Sequence, residues 1–99
     1  MSIFDTVKQL KDLREQAKKM QELLATIHIT EKSSDGNITV TLNGNMEVEH
    51  IQVNRQAYDS DEKLQDALKE TCNTALKRAQ TEAAHAMRAS GGLNIPGLT

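Results

Sequence analysis

From Ile3 to Ile27 the apolar residues recur every seven positions. One seam position holds Ile3, Leu10, Ala17 and Leu24, the other Thr6, Leu13, Met20 and Ile27, and only Thr6 breaks the apolar series. That spacing gathers the apolar side chains along one side of a helix, so the pattern predicts a single amphipathic helix over 3–27. Ser2 is placed as its N-cap, with Asp5 three residues on completing a short-armed capping box. The constraint lies in what must cover the seam. A chain of 99 residues buries a smaller fraction of its surface than a larger domain does. The aromatics are Phe4 and Tyr58 alone and there is no Trp, so Leu, Ile, Val, Met and Ala must build the core. One small core has little surface to spare for so long a helix, which points to a second chain.

After Ile27 the period changes from seven to two. HITEKS, NITVTLNGN and MEVEHIQV read as three strands, with Ile38, Val40 and Leu42 alternating with Thr39 and Thr41. Asp35-Gly36 and Asn43-Gly44 separate them as hairpin dipeptides, because tight primed turns demand positive φ. In the third strand Met46 and Val48 fall on one face and Ile51 and Val53 on the other, which a bulge near Glu49 or His50 reconciles. NRQAYDSDE then leads into a second helix over 60–90, with Asp59 and Glu62 as its capping residues. Its apolar stripe is Leu64, Leu68, Cys72, Ala75, Ala79, Ala83 and Ala86, thinning from Leu to Ala. Gly91-Gly92 supplies the stop and Pro96 cannot continue the helix. The expected organisation is one α+β domain over 1–99: helix 3–27, antiparallel β-meander 28–53, helix 60–90 and a flexible tail 91–99.

Catalysis finds no support in these residues. No nucleophile stands at a spacing that suggests a neighbouring base, no glycine loop precedes a helix to cradle phosphate, and no cofactor is called for. His28, His50 and His85 are scattered and Cys72 is the one cysteine, so no zinc-type ligand set is expected. Cys72 sits in the apolar stripe, where a thiol packs as a small hydrophobe. No apolar run reaches the roughly 18–20 residues of a membrane span. The N-terminus carries Asp5 and no basic region before an apolar core, so a cytoplasmic protein is expected.

The net charge of −2 does not advertise nucleic-acid binding, but totals conceal local segregation. Lys11, Arg14 and Lys18 fall at i, i+3 and i+7 along one edge of the seam with Lys19 beside them. In the second helix Lys77, Arg78, His85 and Arg88 lie away from the apolar stripe with Thr74 and Thr81, and Glu82 is the one acid from residue 71 to 90. Lys, Arg and hydroxyl side chains are what contacts to a phosphate backbone require. The same cations also suit ordinary helix chemistry, as pairs of Lys11 with Glu15 and Lys18 with Glu22 and as complements to the helix dipole.

The order helix, meander, helix, together with LREQAKKMQ, the NG turn, Asn73-Thr74-Ala75 before Lys77-Arg78, and the closing GGLNIPGL, resembles the YbaB/EbfC family of bacterial nucleoid-associated proteins. The likeness covers nearly the whole chain and rests on the order and spacing of its markers. Where that family often has an acidic residue and a proline after the third strand, this chain has Asn54-Arg55. The resemblance implies a homodimer whose helices project like tweezers and bind duplex DNA at the nucleoid with little sequence preference, without catalysis. Lys11, Arg14, Lys18, Lys19, Lys77, Arg78 and Arg88 are then the expected phosphate contacts. A dimeric adaptor that holds another protein, with no direct DNA binding, is the competing expectation.

Overall fold

The computed structural model describes residues 3–90. Helix α1 spans Ile3–Ala25, strands β1, β2 and β3 span His28–Lys32, Ile38–Asn43 and Val48–Val53, a single 3-10 turn spans Arg55–Ala57, and helix α2 spans Asp61–Ala89. The strands form one antiparallel sheet in the order β1-β2-β3. The α+β meander read from the sequence is therefore the fold. The N-cap expected at Ser2, the stop expected at Gly91-Gly92 and the tail after it lie outside the described residues.

The core lies between the sheet and α2. β2 turns Ile38, Val40 and Leu42 inward, each at most 1% exposed, and Ile29 joins them from β1. From α2 come Ala75 and Ala79, both fully buried, with Thr71 and Ala83 in the same row. Leu64, Leu68, Cys72 and Leu76 pack at the margin. The thinning of the stripe to Ala thus lets the helix backbone approach the sheet. Thr71 is the member that the apolar pattern misses, and its hydroxyl donates to the Ala67 carbonyl at 2.7 Å, so no polar atom is stranded.

The bulge sits where the phase of the third strand requires it. Thr41 faces His50 while Leu42 faces Val48, which leaves Glu49 as the extra residue. Val48, Ile51 and Val53 consequently share the face of their partners Leu42, Val40 and Ile38. α2 packs on β1 and β2. It leaves the β3 row open, with Val48 55%, Ile51 43% and Val53 38% exposed.

Three local expectations are corrected. The N-cap of α2 is Ser60, not Asp59: Ser60 is extended at φ −147 and ψ 157 and its hydroxyl accepts from the Lys63 amide, whereas Asp59 stands one residue too early and reaches the Lys63 ammonium at 3.4 Å. Asn43-Gly44 is not a two-residue primed turn. Asn43 and Glu47 close a three-residue loop in which Met46 takes the positive φ of 64, and the buried Asn43 side chain ties the loop by accepting from the Asn45 and Glu47 amides. Gly44 serves another purpose: its amide donates to the Leu24 carbonyl at 2.9 Å, and a Cβ there would stand 2.6 Å from that oxygen. Met46 accordingly belongs to the loop, and β3 begins at Val48.

The other turn keeps its expected chemistry. Gly36 has φ 77, and Asp35 accepts from the Ser33 hydroxyl at 2.5 Å, the Asn37 amide at 3.0 Å and the Tyr58 hydroxyl at 3.2 Å. These bonds, from Ser33 first, hold the Asp35 carboxyl down from 3.8 to about 2. Tyr58 is raised above its ordinary value by partial burial and by its bond to Asp35. The turn is thereby fastened to the segment that leads into α2.

Helix α1 has no buried residue. Met20, Leu24 and the following Ile27 are half-covered, while Ile3 is 81%, Leu10 57% and Leu13 37% exposed. The helix touches α2 only sparingly, and its C-terminal turn is held by Gly44 on Leu24 and by the Asn45 side-chain amide on the Gln21 carbonyl at 2.9 Å. The chain measures 66 × 23 × 19 Å. Helix α1 is an arm about 35 Å long, the length of 23 helical residues.

Candidate nucleic-acid interface

At 100° per residue, Ile3, Val7, Leu10, Lys11, Arg14, Lys18 and Gln21 fall on one side of α1, and no Asp or Glu lies among them. Lys11, Arg14 and Lys18 project from the arm, all exposed. Neither Lys11 with Glu15 nor Lys18 with Glu22 forms an ion pair among the described residues, although the i,i+4 spacing would allow it. Lys19 is exposed on the neighbouring side, where Lys8 joins it. Lys8 lies outside the i, i+3, i+7 series, and its spacing of eleven from Lys19 is the signal that it shares that face.

On α2 the cations divide. Lys77 and Arg88 are exposed on the side away from the buried row, which they share with Thr74 and Thr81. Arg78 instead lies on the flank beside β1, where its Nη1 donates to the Thr30 carbonyl at 3.1 Å and to Glu31 Oε2 at 3.0 Å. The structure brings Lys77 and Arg78 together with Glu31, Thr74 and Thr81 around an open groove of about 560 Å³ between α2 and β1. It does not bring these residues to the basic row of α1, which stands out on the arm.

Charge is segregated along α2. Asp61 and Glu62 occupy its first turn and Arg88 its last, so the acidic end lies by the Tyr58 segment and the basic end lies farther along. This arrangement lets a chain of net charge −2 present cations locally. The outer face of the sheet is polar: Thr30 and Thr41 hydroxyls meet at 3.1 Å, and His28 Nδ1 lies 2.6 Å from Glu49 Oε1, the residue extruded by the bulge. Among the described residues no three His, Cys, Asp or Glu side chains converge as metal ligands. No described helix is long and apolar enough to cross a membrane.

What the arrangement offers is cations and hydroxyls spaced along exposed helices, the chemistry of phosphate contact without base-edge readers. Comparison with known proteins identifies the family. The model of the YbaB/EbfC DNA-binding family matches residues 1–93. A nucleoid-associated protein of Syntrophobacter fumaroxidans is 38% identical over 96% of this chain and 89% of its own length. One of Clostridium novyi is 36% identical over 99% of this chain and 89% of its own. The crystal structure of uncharacterized protein HP0035 from Helicobacter pylori has the same fold, with a TM-score of 0.70 at 20% identity over 93% of this chain and 99% of that one.

Proposed function

The chain belongs to the YbaB/EbfC DNA-binding family and is a nucleoid-associated DNA-binding protein of that non-enzymatic family, and we propose that it works as a homodimer whose two arms lay basic rows against duplex DNA. Lys11, Arg14 and Lys18 are the principal phosphate contacts, with Lys19 on the neighbouring side of the same arm and Lys77 and Arg88 as a separate group on α2. The observation that carries this reading is the row of exposed cations Lys11, Arg14 and Lys18, none of them in an ion pair among the described residues, on an arm tied to the rest of the chain near its C-terminal turn. A free energy of binding drawn from phosphates alone brings little sequence preference.

The homodimer is supported by two uncovered apolar surfaces. Val48, Ile51 and Val53 continue the core face past the edge of α2, and the α1 seam exposes Leu10 and Leu13. A two-fold axis beside β3 would bury the first and double the number of arms. Ile3, Phe4, Val7 and Leu10, exposed near the tip of the arm, favour a second reading in which a protein is the partner.

Fluorescence anisotropy of a random-sequence duplex, titrated at several salt concentrations, separates the two. If a dimer neutralises about six phosphates, log K falls against log salt with a slope of roughly −5, and affinity near physiological salt lies at about 10⁻⁴ to 10⁻⁶ M. Charge reversal at Lys11, Arg14 and Lys18 together flattens that slope. Wild-type affinity in the triple variant removes the basic row from the interface, and absence of duplex binding by the wild type even at low salt turns the assignment to the protein adaptor.

A further inference from the structure

The sheet has two edges, and the chain treats them oppositely. Along β1 the register is set by the Ser33 amide donating to the Ile38 carbonyl at 2.8 Å. In an antiparallel ladder the hydrogen-bonded pairs alternate with non-bonded ones, so Glu31 with Val40 and Ile29 with Leu42 exchange bonds, and Thr30 opposite Thr41 does not. Thr30 therefore points its N–H and C=O away from the sheet, the arrangement an incoming strand would use. Arg78 occupies that position. Its Nη1 donates to the Thr30 carbonyl and is held there by Glu31 Oε2. Along β3 the Asn54 amide donates to the Asn37 carbonyl at 2.8 Å, so the alternation turns the backbone groups of Ile51 and Val53 outward. No side chain among the described residues bonds to them.

We propose that Arg78 closes the β1 edge to strand addition, so that a second copy can join the sheet along β3 alone. A pair as exposed as Arg78 and Glu31, at 56% and 24%, adds little to stability, and the geometry spends a guanidinium on a backbone carbonyl instead. A bulky cation over an outward carbonyl is one of the ways in which sheets avoid edge-to-edge growth. This assigns to Arg78 the limiting of assembly in place of the phosphate contact that its position beside Lys77 suggests. The choice of β3 as the open edge rests on the homodimer reading; the closing of β1 does not.

The test is solution mass over a wide range of protein concentration, by sedimentation velocity, for wild type, Arg78→Ala, Thr30→Pro and the double variant. Proline at 30 removes only an N–H that faces out of the sheet, a substitution edge strands accept. Arg78→Ala is expected to form species heavier than wild type that grow with concentration, and adding Thr30→Pro is expected to restore the wild-type mass. Arg78→Ala at the wild-type mass throughout overturns the assignment. So does growth that Thr30→Pro fails to reverse, since misfolding or adhesion elsewhere would not respond to the loss of one outward amide. The wild-type mass reads the homodimer separately: a monomer there sinks the dimer while leaving the comparison of variant with wild type in force.

Discussion

The two helices are both long, charged and amphipathic, and the chain uses them in opposite ways. α2 buries Thr71, Ala75, Ala79 and Ala83 against the sheet, and α1 buries nothing. The side chains run against simple expectation, for the small ones are inside and Leu10, Leu13 and Leu23 lie at the surface. A sheet of three strands accepts one helix closely, and the helix with alanines on its inner row brings its backbone nearest. The helix with the larger apolar residues is left as an arm. It is tied only at its base, where Gly44 permits the loop amide to reach Leu24. Burial thus follows from fit to the sheet more than from hydrophobicity, and the seam of α1 stays unburied in the single chain.

The contrast can be broken at several points, and the largest effect belongs to the core beneath α2. Leu42→Ala, at 1% exposure, is expected to lower unfolding free energy by about 2–5 kcal/mol in urea titrations. Ala79→Leu puts a large side chain where α2 meets the sheet and should cost about 1–3 kcal/mol by the same measurement. A stability equal to wild type in Ala79→Leu would mean that α2 is free to lift, contrary to the close approach described above.

A smaller effect comes from the turn that fastens the sheet to the start of α2. Because the fold favours the ionised form of Asp35, lowering its pKa from 3.8 to about 2, its contribution is present above about pH 3.8 and is lost as the pH falls through about 2. Asp35→Asn should lower the thermal midpoint at neutral pH, with the difference from wild type closing in acid. A difference that stayed constant to the acid limit would show that the carboxylate charge is not the cause. The smallest change in protomer stability is expected on the arm: Leu10→Ala, at a position 57% exposed, should alter it by no more than about 0.5 kcal/mol. The same variant sharpens the comparison if sedimentation shows a weakened dimer, because the seam would then be identified as a surface between copies.

Much of this was legible from local pattern. A period of seven and a period of two distinguish helix from strand without any knowledge of contacts, and the opposed phases of Met46-Val48 and Ile51-Val53 called for a bulge that appears at Glu49. The basic row of α1 was legible for the same reason, since helical spacing alone puts Lys11, Arg14 and Lys18 together. The reading failed where two neighbouring candidates compete for one geometry. Asp59 and Ser60 both qualify as caps, and the chain enters the helix at Asp61, which selects Ser60. Gly44 is in the turn as expected, but its contact with Leu24, twenty positions away, leaves no mark in local pattern.

The sequence by itself determined the elements, their order and the sides of each helix that carry charge, because these depend on spacing within a few turns of chain. Only the tertiary structure decided which apolar stripe is buried and which cation meets a partner within the chain. Arg78 and Lys77 are adjacent in sequence, yet a rotation of 100° puts one over the Thr30 carbonyl and leaves the other in solvent. Such outcomes depend on contacts between distant segments, such as Arg78 with Thr30 and Gly44 with Leu24, and a one-dimensional pattern does not hold that information.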